Sequence, residues 1–368
     1  MTERERAEAA NAPLPRPRRP SRGPGNVYAA AVEASSGPAA PLLAGKLPAP
    51  LLAEILAGLP ALPTDVLLGP RVGEDACAVE VPRGVLVAAT DPITFTAQEI
   101  GRFSVIVNAN DVAVMGVRPR WFLAVILLPP GSSERTLREV FASMQEGLSS
   151  IGATLVGGHT EVTPAVAQPV VVGQFLGIAE DGRFVTSGGM RAGDVLIQVG
   201  PAPVEGAAVL AREAADRLIG LDPAVLGEAL GALDRPGISV VERALLAAEL
   251  GANAMHDPTE GGLAAGLHEL ADASRVRLRV EVDAVRWFEP GLAICRAVSA
   301  DPFATLASGA LLASFPADRA KAAVQALARD GHVVSEIGRA EEGSGVWDSE
   351  GRLLPWPERD EVARLLSP

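Results

Sequence analysis

Apolar residues along this chain fall into two periods, and the alternation between them predicts the elements. Leu51, Leu52, Ile55 and Leu56 recur at helical spacing after Pro50, predicting a helix where the ordered part begins near Leu42. Short apolar runs at 78–81 and 85–89 read as strands, the second leading into Thr90-Asp91. Ile100, Phe103, Val107 and Val114 share one helical face, with Gly116 as the stop signal. The unbroken run 121–128 predicts a buried strand. Ser133 then caps a helix whose Leu137, Phe141, Met144 and Leu148 are expected to face a core. A strand at 153–156 is expected to enter a turn, Gly157-Gly158-His159-Thr160-Glu161, and 169–178 closes this half as another strand.

The second half opens with Gly188-Gly189-Met190-Arg191-Ala192-Gly193-Asp194, which reads as an interdomain passage. A strand at 195–199 follows, then alanine-rich helical stretches over 205–250, a helix over 260–273 and a β-like run at 277–282. Segments 309–315, 317–329 and 333–337 predict a strand–helix–strand end. The pattern indicates an α/β protein of two domains, 41–187 and 188–345, with a tail over 346–368. No fixed-period repeat is visible. Residues 1–40 are expected to be a disordered extension: five prolines between Pro13 and Pro24 are interleaved with Arg, Gly and Ser, without a hydrophobic period.

Length and composition agree with two cores: 368 residues, 48% of them hydrophobic. No apolar run reaches the ~18–20 residues that cross a bilayer, and the arginines at 16, 18, 19 and 22 are followed by Gly, Pro and Ala rather than by a secretory apolar segment. Two cysteines, Cys77 and Cys295, are too few for a disulfide framework or a zinc site. A cytoplasmic protein with reduced thiols, away from membranes, is the expectation. The net charge of −13 and the scarcity of Trp, Tyr and Phe argue against a nucleic-acid surface.

Charge changes the picture most where it is local. Gly73-Glu74-Asp75-Ala76, Thr90-Asp91-Pro92, Asn110-Asp111-Val112 and His256-Asp257-Pro258-Thr259-Glu260-Gly261-Gly262 each set carboxylates beside turn-forming residues at the end of an apolar run. Any one of them can be ordinary turn chemistry, because Asp and Asn bond their own backbone. As a set they point to carboxylates gathered around Mg²⁺, which accepts a few carboxylates, waters and the phosphates of a polyphosphate such as ATP. Gly157-Gly158 after a strand can let backbone N–H groups approach phosphate. Lys46, in Gly45-Lys46-Leu47-Pro48, is one of two lysines in the chain and is either a phosphate contact or a solvated surface residue.

Taken in order, Gly-Glu-Asp-Ala (73–76), Thr-Asp (90–91), Asn-Asp-Val-Ala-Val-Met-Gly-Val-Arg-Pro (110–119), Gly-Gly-His-Thr (157–160) and Asp-Pro-Thr-Glu-Gly-Gly-Leu (257–263) resemble the signature turns of the AIR synthase superfamily. The resemblance spans roughly residues 42–340 and is strongest toward the AIR-synthase-related and HypE-like branch. It implies an AIR-synthase-like fold of an N-terminal dimerising domain plus a C-terminal α/β domain, a homodimer, and an ATP–Mg²⁺ site between the halves. By matching positions, Asp75, Asp91 and Asp111 resemble metal ligands. Asp257 and Glu260 resemble further metal- or phosphate-organising residues. Thr90 and Thr259 resemble hydroxyl positions near the metal and nucleotide; Asn110, Gly157, Gly158 and Thr160 are further candidates for nucleotide contacts, and Lys46 and His159 are the candidate catalytic residues.

Two departures qualify the expected chemistry. His159 stands where kinase-like members carry Asp, and His is a poor hard ligand for Mg²⁺. The sequence ends Leu-Leu-Ser-Pro, without the terminal cysteine on which HypE carries its carbamoyl group. The expected reaction is therefore phosphoryl transfer from ATP to an oxygen of a small amide, carbonyl or acid. The alternative is a nucleotide-binding maturation factor acting on a partner protein.

Overall fold

A computed structural model describes residues 49–57, 64–74, 76–94 and 99–366. The 1–40 extension, Lys46 and Asp75 lie outside the described residues. The first helix is α1 (Ala49–Ala57). Strands β1 (Val66–Leu68), β2 (Cys77–Val81) and β3 (Gly84–Ile93) follow, then helix α2 (Ile100–Val114), β4 (Trp121–Leu128), α3 (Glu134–Ile151), β5 (Thr154–Val162) and β6 (Val170–Ala179). They form one six-stranded sheet in the order β1-β2-β3-β6-β4-β5. β4–α3–β5 is its parallel crossover, and the other pairings are antiparallel. Alternation along β3, β4 and β6 sends Val85, Val87, Phe122, Ile126, Val171 and Phe175 into the core beside α2.

α2 is buried on nearly every side because it packs on β3 and β6, on α3, and on a helix of the second half. That explains its weak polar face. α3 has the one-sided pattern of a surface helix, capped by Ser133 accepting from the Thr136 N–H and closed by Gly152 in the left-handed region. Its buried stripe runs through Val140, Met144, Gly147 and Leu148. Phe141, expected in that stripe, is one step around the helix and is 40% exposed.

The second sheet has the order β12-β9-β11-β7-β10-β8. Its strands are β7 (Val195–Val199), β8 (Ala254–His256), β9 (Arg277–Val280), β10 (Leu311–Phe315), β11 (Val334–Glu341) and β12 (Val346–Asp348). The expected strand–helix–strand end is present as a split unit: β10 and β11 both pair antiparallel to β7, which lies between them, with α9 (Ala317–Arg329) as the connection. Helices α4 (Glu205–Glu213), α5 (Pro223–Leu230), α6 (Val241–Glu249), α7 (Gly262–Ser274), α8 (Glu289–Val298) and α10 (Glu361–Leu366) complete this half. The odd residues of β7, Val195, Ile197 and Val199, join the same apolar cluster as α2 and the first sheet. Leu196 faces the other way, with Leu263, Leu267 and Leu270 of α7.

Three of the turn-like segments lie in regular elements. Thr90-Asp91-Pro92 continues β3, pairing with Gln174, Gly173 and Val172. Asn110-Asp111, a pair with turn-forming character, lies within α2, one turn from its end, in the helix that the apolar face from Ile100 to Val114 predicts. Residues 157–161 extend the edge strand β5 alongside β4. Gly158 has φ +150°, and a Cβ there would stand 2.0 Å from the Ala124 carbonyl oxygen, so glycine permits the close pairing.

Candidate nucleotide and metal site

The end of β3 is fastened to α2 by one side chain. Asn108 Oδ1 accepts the Asp91 N–H at 2.7 Å, and its Nδ2 donates to the Asp91 carbonyl at 3.2 Å and to the Ser104 carbonyl at 2.8 Å. The amide closes a ring with the Asp91 backbone, fixing where this exposed residue presents its carboxylate. Space for Asn108 exists because Gly173 is beneath it: a Cβ on Gly173 would fall 2.4 Å from Asn108 Nδ2. Asp111 follows Asn108 by three residues on the same helix, hence on nearly the same face, and is 6% exposed. Thr90 donates its hydroxyl to the Gly173 carbonyl at 2.7 Å.

Asn110 serves the seam between the halves. Its Nδ2 donates to the Ile238 carbonyl at 2.9 Å and its Oδ1 accepts the Val240 N–H at 2.8 Å. Both ends of a fully buried amide are thus matched to backbone across the seam.

The Gly73-Glu74 turn reaches the same seam from the other side. Gly73, at φ +81°, abuts α7: a Cβ there would come 3.2 Å from the Glu269 carbonyl. Glu74 Oε2 accepts the Ser187 N–H at 3.4 Å. Glu269 is itself buried and meets His256 Nε2 at 2.8 Å. Gly266 leaves room for that histidine, 3.3 Å from where a Cβ would be. Asp257, 2% exposed, follows directly and starts the loop to α7. The Thr259 carbonyl accepts from both Gly262 and Ala307, closing that loop.

Register places the glycine pair in line with this region. Gly157 and Gly158 pair with Leu123 and Ala124, which pair with Gln174 and Gly173, which pair with Thr90 and Asp91. Three strand spacings, roughly 14 Å, separate the ends of that row. Within one chain, Thr160 and His159 are therefore apart from Asp91. His159 is exposed and contacts Glu161 at 3.2 Å. Among the described residues no three His, Cys, Asp or Glu side chains are grouped to hold a metal.

Glu260 lies elsewhere again. It lines a cavity of about 10 Å³ with Leu306, Asp360, Val362 and Ala363, the size of a single water. Glu205, bonded to the Ser308 hydroxyl, is close enough to feel both Asp360 and Glu260. Withdrawal from water pushes the Glu205 carboxyl up to about 7, although the residue as a whole is only half-buried. The same cause takes Asp360 up to about 6, against the backbone N–H groups it accepts from. The charges of Asp360 and Glu260 add to the rise at Glu205, and that of Glu260 to the rise at Asp360.

Comparison with known proteins fits this arrangement. Residues 73–179 match the AIR synthase related protein, N-terminal domain, and residues 191–347 match the AIR synthase related protein, C-terminal domain. Carbamoyl dehydratase HypE of Rhodobacter capsulatus is 31% identical over 256 residues, 68% of this chain and 72% of the relative. The chain belongs to the AIR synthase related family. Among solved structures, the HypE–HypF complex superimposes with a TM-score of 0.68 at 21% identity, over 83% of this chain and 99% of that one. Hydrogenase maturation protein HypE in complex with ATP gives 0.62 at 25% identity, over 80% and 92%. The family's two domains coincide with the two sheets, and its relatives include enzymes such as the carbamoyl dehydratase.

Sequence reading missed several residues of this neighbourhood. Asn108 could have been found from its spacing of three to Asp111 on a predicted helix. Glu269 had a weaker signal, a carboxylate on the helix after Gly261-Gly262. Asp360 and Glu205 had none, since only folding brings them beside Glu260.

Proposed function

We propose that the protein is an ATP- and Mg²⁺-dependent enzyme that activates an oxygen of a small amide, carbonyl or acid by phosphoryl transfer. The observation that carries this reading is the Asn108 clasp, which holds Asp91 beside the helix that bears Asp111. The donors suit Mg²⁺: both are carboxylates, and Asp91 and Asp111 would hold the ion together with waters and phosphates. Asp75, by resemblance, is a third. When bound, Mg²⁺ neutralises charge on the transferring phosphoryl group. The chain's own contribution is to keep the carboxylates still. Asn108 does so for Asp91, the rigid buried helix does so for Asp111, and the Asn110 clamp fixes the seam against which Asp257 and Glu74 stand. Lys46 is a proposed phosphate contact; the Gly157–Thr160 segment, apart from Asp91 within one chain, is proposed to reach the nucleotide from the second subunit of a dimer, with His159 as a hydrogen-bonding neighbour. Thr90 and Thr259 are proposed around the nucleotide.

Relatives support the nucleotide: HypE is described in complex with ATP. Thermal melts test it. At ATP about 100-fold above Kd, Mg²⁺–ATP should stabilise the fold by about 2.7 kcal/mol. The same melting temperature with and without Mg²⁺–ATP would remove the proposal.

A second reading, a nucleotide-binding maturation factor acting on a partner protein, is favoured by the likeness to the HypE–HypF complex. ATP turnover by the purified chain alone separates the two. We also propose a homodimer through the first sheet. Helices α2 and α3 pack together on one face, leaving Val125 (37% exposed) on the other and Val156 (52%) and Val162 (62%) along edge strand β5.

A further inference from the structure

The family match ends at residue 347, yet the chain beyond it is bound to the start of α7 at several points. The Leu354 N–H donates to the Val346 carbonyl at 2.8 Å, and the Leu354 carbonyl meets His268 Nε2 at 3.0 Å. The His268 ring stacks on Trp356, centroids 5.0 Å apart and planes 13° from parallel. Pro357 covers Gly261, 3.4 Å from where a Cβ would stand. At the end of this strap Asp360 divides its two oxygens: Oδ2 accepts the Gly261 N–H at 2.7 Å, and Oδ1 accepts the Val362 N–H at 2.7 Å, capping α10.

The loop so gripped is in special backbone. Gly261 and Gly262 have φ of +80° and +63°. A Cβ on Gly262 would meet the Phe303 and Thr305 carbonyl oxygens at 2.4 and 2.6 Å. No other residue type fits there, and glycine brings the most freedom to a backbone that must be held. Asp360 supplies a charged acceptor for the N–H of the residue that starts α7. The strap thus carries an acceptor that lies beyond the residues matched to the family's C-terminal domain.

We propose that Asp360 is a positioning residue for the loop Asp257-Pro258-Thr259-Glu260-Gly261, holding it from beyond residue 347, where the family match ends. The inference rests on the reading that this loop serves the nucleotide and metal. It assigns the chain's closing segment a role in the site, exerted through Gly261.

The test uses the full chain with Asp360→Asn and Asp360→Ala. An asparagine has one acceptor oxygen and can keep either the Gly261 bond or the α10 cap, whereas alanine keeps neither. Amide hydrogen exchange well below the melting temperature is the first readout. Exchange across 259–263 should quicken on the order of tenfold in Asp360→Ala, less in Asp360→Asn, with the body of α7 unchanged. Titration with Mg²⁺–ATP is the second: affinity should weaken in the same order, with partial rescue by asparagine. Wild-type exchange at 259–263 in both variants would overturn the proposal. So would faster exchange with wild-type affinity, since Asp360 would then be a clasp for the tail only. If the wild-type chain itself binds no Mg²⁺–ATP, the functional reading fails, while the exchange result still decides whether Asp360 holds the loop.

Discussion

Asn108 shows how much of this site depends on one neutral side chain. It bonds both the N–H and the carbonyl of Asp91, and it fits only because Gly173 has no Cβ. Gly173→Ala is therefore a sharper probe than removing a carboxylate. The new methyl group would push Asn108 off Asp91 while leaving every charge in place. The expected result is at least a tenfold loss of Mg²⁺–ATP affinity by calorimetry, with a stability loss in the range of about 1–3 kcal/mol typical of overpacking. Unchanged affinity would mean the clasp does not organise Asp91. At this scale the sequence was readable where chemistry is local. Asp91, Asp111 and Asp257 stood out because acids beside Gly, Pro and Asn are conspicuous. Asn108 and Gly173 did not, because their significance is a contact between residues 65 positions apart.

Elements decide the buried acids around Glu260. The starts of α4, α7 and α10 converge there, bringing Glu205, Glu260 and Asp360 together. Helix N-termini favour carboxylates, but burial costs the charged forms more, and Glu205 and Asp360 titrate upward. The sign follows from linkage: a carboxyl with a raised folded pKa takes up its proton more readily in the folded state. Stability from this cluster is lost as pH rises through about 6–7 and regained as pH falls back toward the unfolded value near 4.5. Urea melts from about pH 8 to pH 5 should show Glu205→Gln flattening that slope by on the order of 2–3 kcal/mol. Parallel profiles for wild type and variant would contradict the assignment. Element types were largely legible, because strands at 121–128 and 195–199 are unbroken apolar runs and α9 has clean amphipathic spacing. Harder to read were residues that carry two signals. Gly157-Gly158 reads as a turn, yet pairs along β4, since an edge strand tolerates glycine where a neighbour's backbone comes close. Asn110-Asp111 carries residues common in turns, yet lies in the helix that the apolar positions from Ile100 to Val114 predict.

At the scale of the whole molecule, α2 is the common member. It packs under the first sheet, touches α6 and β8 of the second half, and carries Asn108, Asn110 and Asp111 within one turn. A single helix therefore carries the proposed metal ligand Asp111, the clasp on Asp91 and the seam at once. The open face of the first sheet predicts a dimer in sedimentation, and Val162→Lys on β5 should shift it toward monomer. A wild-type monomer at micromolar concentration would contradict that. Calorimetric titration of Asp111→Asn beside the wild type, each with and without Mg²⁺ and with apo melting curves recorded alongside, decides whether the β3–α2 carboxylates hold Mg²⁺–ATP. Asparagine keeps the shape of the residue and removes the charge that the metal needs. The expected result is Mg²⁺-dependent ATP binding in the wild type, its loss by at least tenfold in Asp111→Asn, and an apo melting temperature level with or above the wild type, because one carboxylate fewer relieves repulsion. Wild-type Mg²⁺–ATP affinity in Asp111→Asn would contradict it, leaving Asp111 as a residue of the helix and nothing more.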